Sequence, residues 1–334
     1  MGSDFISKGQ KQVLKWGFVI LLVGIIIYTF RDQAGPILHQ LKETSPWVVI
    51  LICLLSLGYE CMEGAVTTGF ARQYQPEFSY LTGVESAFFC SFYRVATLGS
   101  GAGVAAVYFF NEKGIPVSKG TGMYMIEYVL HKLSIAIFSV IFFAASFGFM
   151  MEHFGEYALL LAVGYIVTVL IAAVMVLVCY STKLHKWIFL LLDKINRKHK
   201  FDGQIGMLRE QCGILEEASA FLLRKPLLIG MTVIKNLVKL AFWYGIPYAV
   251  FYGMGTVTLP QVLAVTSLSV MLAAVLPSPA GIGSTEFVFT MLFAAVAGTG
   301  AAGSASLLYR FATFVFPFLV GAFIVIRRRI GKRK

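Results

Sequence analysis

Leu98-Gly99-Ser100-Gly101-Ala102-Gly103-Val104-Ala105 and Leu276-Pro277-Ser278-Pro279-Ala280-Gly281-Ile282-Gly283 interrupt two hydrophobic stretches in the same manner, 178 residues apart. Aligned without a gap, residues 81–110 and 259–288 match at nine of thirty positions. Glycine and proline free backbone N–H and C=O groups from helical pairing. Lipid cannot satisfy those groups, so such a break is tolerated at membrane depth only where protein or a water-filled cavity does so. Paired breaks in corresponding halves of a membrane protein therefore mark the place where a polar site is built.

The surrounding composition makes membrane depth the right frame. The chain has 334 residues, 58% of them hydrophobic and 13% charged, with a mean hydropathy of +0.77. Soluble domains run about 45–50% apolar with about 25% charged residues. The net charge of +11 is clustered. Lys8, Lys11 and Lys15 precede the first apolar run, nine basic residues lie between Lys183 and Lys225, and six lie between Arg327 and Lys334. Basic residues beside spans mark the cytoplasmic side and attract anionic headgroups, which accounts for the charge without nucleic acid. The five cysteines, Cys53, Cys61, Cys90, Cys179 and Cys212, form no C-x-x-C pair. They predict neither a disulfide framework nor a metal site.

A helix needs about 20 apolar residues to cross a bilayer. Stretches 14–30, 46–71, 122–150, 157–180, 226–253 and 304–326 meet that length, and 82–110 and 260–300 are the broken extras. The run Trp16–Phe30 is followed by Arg31-Asp32 rather than a small-residue cleavage site, and reads as a retained span. Loop charges place both termini in the cytoplasm. They bring 82–110 in from the cytoplasmic face and 260–300 in from the opposite face. The expected fold is an all-α polytopic membrane protein with six full spans and two re-entrant broken hairpins in an inverted repeat. The first repeat unit covers 46–150 and the second 226–326, with a basic cytoplasmic loop at 181–225 between them. Gly-rich membrane segments also resemble one another by composition, but here the flanking spans and the breaks share one offset. Within the loop, residues 186–194 read as an interfacial segment, and 201–223 as a cytoplasmic helix.

Charged residues inside spans cost roughly 2.5–3.5 kcal/mol on insertion scales and are functional by default. Arg94 precedes the first break and Glu286 follows the second. Arg310 is in the last span, Glu60 and Glu63 lie on 46–71, and Lys235 and Lys239 lie on 226–253. Glu127 and His131 are spaced i, i+4 on 122–150. Internal pairing is expected of Glu286 with Arg310 or Arg94, and of Glu60 and Glu63 with Lys235 and Lys239. His131 reads as a satisfied interhelical donor rather than a proton relay, and the other histidines as loop residues without signal. A helix restarting after each break offers free N–H groups to an anion, with Ser284 or Thr285 as the expected cap of the second restart. Gly101, Gly103, Gly281 and Gly283 would admit a ligand close to the backbone. No nucleophile–base pair and no metal-ligand spacing occur, so no catalytic residue, metal or cofactor is expected.

The stretch Leu276 to Glu286 resembles the Pro-Gly-Gly-x-Gly-x-x-Glu signature of the lysylphosphatidylglycerol synthase transmembrane-region family, with Ala280 in place of a usual Gly. Leu308-Tyr309-Arg310 with Pro317 and Gly321 is similar to that family's last span. The resemblance carries over onto Gly281, Gly283, Glu286 and Arg310. It implies a lipid flippase unit. In longer members a cytosolic domain that aminoacylates phosphatidylglycerol follows this unit, and the present sequence reaches Lys334 without it. The expectation is a flippase or scramblase of the plasma membrane acting on a phospholipid, with aminoacylated phosphatidylglycerol a candidate. Anionic inner-leaflet lipids are expected contacts, and a homo-oligomer or a separate lipid-modifying enzyme stays open. The alternatives are a phosphatidylglycerol lysyltransferase-family role in lipid synthesis and a small-anion secondary transporter.

Overall fold

The computed structural model describes residues 34–157, 165–167, 169–170, 173–174, 177, 181–196, 201–255, 257–275, 278 and 281–331. The expected span 14–30 lies outside the described residues. So do most of 157–180 and, within the second break, Leu276, Pro277, Pro279 and Ala280. Every regular element among the described residues is helical.

The first part of the chain folds as α1 (Ala34–Glu43), α2 (Pro46–Ala71), α3 (Tyr80–Ala96), α4 (Ala102–Glu112), α5 (Val117–Ala145) and α6 (Phe147–Phe154). Then come α7 (Thr182–Ile195) and α8 (Asp202–Leu223). The last part is α9 (Pro226–Tyr244), α10 (Ile246–Phe251), α11 (Leu259–Val275), α12 (Ser284–Ala297), α13 (Thr299–Arg310) and α14 (Phe316–Gly331). Four helical stretches are long and apolar enough to cross a bilayer: Pro46–Ala71, Val117–Ala145, Pro226–Met254 and Thr299–Gly331. The chain is an all-α, multi-pass membrane protein. The helices between those spans are shorter. At 1.5 Å per residue α3 and α11 each reach about 25 Å, and α4 about 16 Å.

Local sequence explains the boundaries. Pro46 and Pro226 open α2 and α9 at the first turn, where a missing N–H costs nothing. The Ser79 hydroxyl caps α3 by accepting from the Thr82 N–H at 3.1 Å. At the first break α3 ends in a Schellman closure: the Gly99 N–H donates to the Arg94 carbonyl at 2.7 Å and the Leu98 N–H to that of Val95 at 3.2 Å. That closure needs a left-handed residue. Leu98 takes the position with φ 52°, a strain of about 1–2 kcal/mol for a residue with a Cβ.

Packing repeats across the chain. The two limbs of each broken stretch, α3 with α4 and α11 with α12, lie against each other. The leading spans α2 and α9 pack together. The closing span of each part crosses to the other's broken stretch, α14 onto α3 and α5 onto α11. One apolar core surrounds α3 and α4, with Phe70, Phe89, Phe109, Phe110 and Met123. A second surrounds α11 and α12, with Phe251, Leu268, Phe289 and Phe293. Small residues allow the closest crossings: Gly321 of α14 sits against the Phe88 carbonyl, and Gly64 against the Val84 backbone. Arg328, near the end of α14, bonds Glu85 at 3.2 Å and Glu112 at 2.5 Å, tying the two limbs of the first broken stretch. Trp47, Val104, Leu227, Phe287 and Phe323 are exposed on the outside, as a lipid-facing surface requires.

The 181–225 region is mostly helical. The Ser181 hydroxyl caps α7, which turns Trp187 and Leu190 outward. Helix α8 packs on α5, where Lys119 bonds Glu217 at 2.8 Å. His185 is buried on α7 and faces Glu216 at 3.5 Å. His39 and His153 also lie on helices, and His199 lies outside the described residues. The reading of all four as loop residues therefore fails for the three that are described. Helices α7 and α8 cover the stretches 186–194 and 201–223, and His185 is buried where they pack together.

Candidate functional site

A cavity of about 310 Å³ opens among α2, α3, α4 and α5. Its walls carry Glu60, Glu63, Glu127, Arg94, His131 and Lys132. The charges sit on helix faces that the sequence spacing dictates. Glu60, Glu63 and Thr67 follow one another on α2 at i, i+3 and i+7, Glu127 and His131 share a face of α5, and Lys235, Lys239 and Trp243 share a face of α9.

The expected pairing of glutamates with lysines forms in part. Lys239, 1% exposed, donates to Glu63 at 2.5 Å. Lys235 instead donates to the Ala65 carbonyl at 3.1 Å, and Lys225 donates to Gln73 at 2.5 Å. Glu60, 1% exposed, accepts from the Ser91 hydroxyl at 2.9 Å. Glu127 accepts from Thr67 at 3.2 Å with one oxygen, and its other oxygen has no partner among the described residues. Between α2 and α9 the rings of Tyr59 and Trp243 stack at 3.5 Å and 7°. Lys239 stands over Tyr59 and Arg94 over Trp243, each at 5.4 Å.

Arg94 links this cavity to the second break. Its guanidinium reaches the Thr313 carbonyl at 3.4 Å, and its Nε has no hydrogen-bond partner. Thr313 lies in a π-helical turn, Phe311–Val315, that follows Arg310 in the last span. A π-turn shifts the ladder and frees carbonyls, here those of Thr313 and of Ala312, which accepts from Ser56 at 2.5 Å. Arg310 pairs with Glu286, Nε to Oε1, at 3.0 Å as an ion pair rather than an aligned hydrogen bond. It stacks on Phe314 at 3.8 Å. Arg94 and Arg310 each lie in the other's field. Ile282 of the second break packs against an apolar cluster of Val95, beside the first break, with Phe314 and Phe318. One apolar cluster thus joins the two breaks, with Arg94 and the Arg310–Glu286 pair on the elements that flank it.

The glycines divide. The Gly101 N–H is held by the Thr97 hydroxyl at 2.6 Å, and a Cβ on Gly103 would lie 2.7 Å from the Tyr124 ring. Both are packing positions, not openings. Gly281 and Gly283 have φ of 70° and 83°, and Gly283 faces open space. The cap of α12 is Gly283 rather than Ser284 or Thr285. Glu286 reaches back to accept from the Gly283 N–H at 2.8 Å, while the Ser284 hydroxyl is engaged by Ser278 at 2.5 Å. The second restart is therefore already satisfied in part by its own carboxylate.

Sequence reasoning missed Ser91, Thr67, the Tyr59–Trp243 stack and the π-turn. Trp243 was within reach, since it continues the i, i+4 series of Lys235 and Lys239. The π-turn has no sequence marker of comparable strength. The His131 Nδ1 is shut off from solvent and has no partner among the described residues. Among the described residues no cluster has the makings of a metal site.

A search of curated proteins finds no match. The family model for the lysylphosphatidylglycerol synthase TM region matches residues 14–321. It covers nearly the whole chain, with both breaks and every residue of the site inside it, and the protein belongs to that family.

Proposed function

We propose that this protein is a lipid flippase or scramblase that passes a phospholipid headgroup between leaflets while the acyl chains stay in the bilayer. The observation that carries the reading is the joined polar site: a cavity bearing three carboxylates beside Arg94, whose guanidinium reaches the π-turn that follows Arg310. Phosphate suits the two guanidiniums, and a headgroup amine suits Glu60 and Glu63. The glutamates argue against a small-anion carrier, because a free anion would meet three like charges next to its own binding groups.

In this reading the two broken stretches are re-entrant hairpins entering from opposite faces, and the two parts of the chain are inverted repeats. The reciprocal packing of α14 on α3 and α5 on α11 supports that, since a twofold relation exchanges equivalent elements. Both termini and the α7–α8 region face the cytoplasm at the plasma membrane, with Trp187 and Leu190 laid on anionic inner-leaflet lipid. The remaining partner of the site is its phospholipid substrate.

Arg94→Gln tests the reading cleanly. Among the described residues no carboxylate lies within ion-pair distance of Arg94, and Glu60, the buried acid in its field, keeps its bond from Ser91. Headgroup translocation of a fluorescent phospholipid in proteoliposomes should collapse while the purified variant stays monodisperse and folded. Wild-type rates in Arg94→Gln would overturn the reading.

A further inference from the structure

The Glu127 end of the cavity has a chemistry that headgroup binding at Arg94 and Arg310 does not use. Glu127 is 8% exposed and lines the cavity, with one oxygen bonded to Thr67 and the other without a partner. One helical turn along α5, His131 lines the same cavity, and its Nδ1 also lacks a partner. Two buried polar atoms without a partner among the described residues, on one face of a helix whose side chains line one cavity, point to a ligand.

The surrounding charges narrow what that ligand is. From α2, Glu60 and Glu63 face the cavity, Glu60 held by Ser91 and Glu63 by Lys239 of α9. From α3, Cys90 and Arg94 line it, and Arg94 leans on Thr313 and Trp243. From α5 itself, Tyr124, Tyr128 and Lys132 contribute, with Lys132 placed over the Tyr128 ring at 5.4 Å. On α4, Tyr108 is exposed and Glu112 is tied to Arg328. On α8, Glu217 is bound to Lys119, and α11 has no titratable side chain. No basic group lies within ion-pair distance of Glu127, and two further carboxylates share its cavity. A metal ion would need several of these groups on one centre, and they do not form such a cluster. A proton meets the requirement with one atom: it removes one of three like charges and turns the orphan oxygen into a donor.

We propose that Glu127, with His131 beside it, is a proton-binding site whose loading and release are coupled to headgroup passage through the neighbouring cavity. In the loading step a proton from water bonds to Glu127 Oε1, and in release it leaves to water, which can pass a proton on to His131 Nδ1. No other bond changes. The coupling rests on the flippase reading; the proton site itself does not.

The test is infrared difference spectroscopy of the full chain in nanodiscs across a pH series. Wild type should show a protonated-carboxyl stretch that titrates, and Glu127→Gln should lose it. Thr67→Val removes the hydroxyl on the other oxygen and should move the midpoint, which a merely structural Thr67 would not. A band that is absent in wild type, or that survives in Glu127→Gln, overturns the site. If Glu127→Gln does not fold, an unmoved midpoint in Thr67→Val overturns it. Coupling is read separately in proteoliposomes carrying fluorescent phospholipid, where reversing an imposed pH gradient should change the wild-type translocation rate severalfold. Equal rates under both gradients overturn the coupling. A titrating band without any translocation by wild type sinks the flippase reading and leaves the proton site standing.

Discussion

At the first break α3 closes on its own carbonyls through a strained Leu98, and Gly101 and Gly103 are filled in by Thr97 and Tyr124. At the second, two left-handed glycines leave a gap that Gly283 keeps open, and Glu286 folds back onto the restart of α12. Matching sequence has become two different devices. The first break stiffens a hairpin whose ends are further tied by Arg328, and its working charge, Arg94, stands just before it. The second break holds its charge, Glu286, inside the turn and pairs it with Arg310. What the pair teaches is that a repeated break conserves a place in the fold, while the groups it presents are set by what packs against it.

The comparison is most easily broken at the charges. Lys239→Ala should cost about 1.5–3 kcal/mol, because it removes the charged donor of the half-buried Glu63; unfolding in mixed micelles measures this. Lys239→Met combined with Glu63→Leu should recover most of that loss. Next comes the contrast between glycines. Gly103→Val should destabilise by about 1–3 kcal/mol through overpacking on Tyr124. Gly283→Ala meets no neighbour and should cost about 1 kcal/mol, for the left-handed backbone alone. Equal effects at the two glycines would erase the proposed difference between the breaks. Leu98→Gly, which relieves the first break's strain, should change stability by about 1 kcal/mol or less in the stabilising direction.

The smallest effect lies outside the membrane. Lys119 holds the Glu217 carboxyl below its ordinary range. A depressed carboxyl contributes stability above its unfolded pKa and loses it as the pH falls through the folded one. Attachment of α8 to α5 should therefore loosen only at acid pH, seen as faster amide exchange in α8. Lys119→Met should abolish that pH dependence.

Much of the architecture was legible because lipid makes composition decisive. The long apolar runs at 46–71, 226–253 and 304–326 are helices within a few residues of those bounds, and the breaks fall where glycine and proline put them. The span expected at 122–150 starts earlier, at Val117 directly after Pro116, and stops at Ala145 before α6. The charged residues were legible as a set, but their partners were not. Glu286 with Arg310 and Glu63 with Lys239 follow from proximity that only the fold supplies, and Lys235 chose a backbone carbonyl over either glutamate. The apolar middle of α7 gave away an interfacial helix, while burial of His185 depends on α8 lying across it.

The central claim is that the two breaks form one site that must open for a headgroup to pass. Its most direct test replaces the five native cysteines, introduces Val95→Cys and Ile282→Cys on the two sides of their contact, and bridges them with a short reducible cross-linker in proteoliposomes. The account predicts that phospholipid translocation stops in proportion to cross-linking and returns on reduction. Translocation at the uncross-linked rate with the pair fully bridged would contradict it.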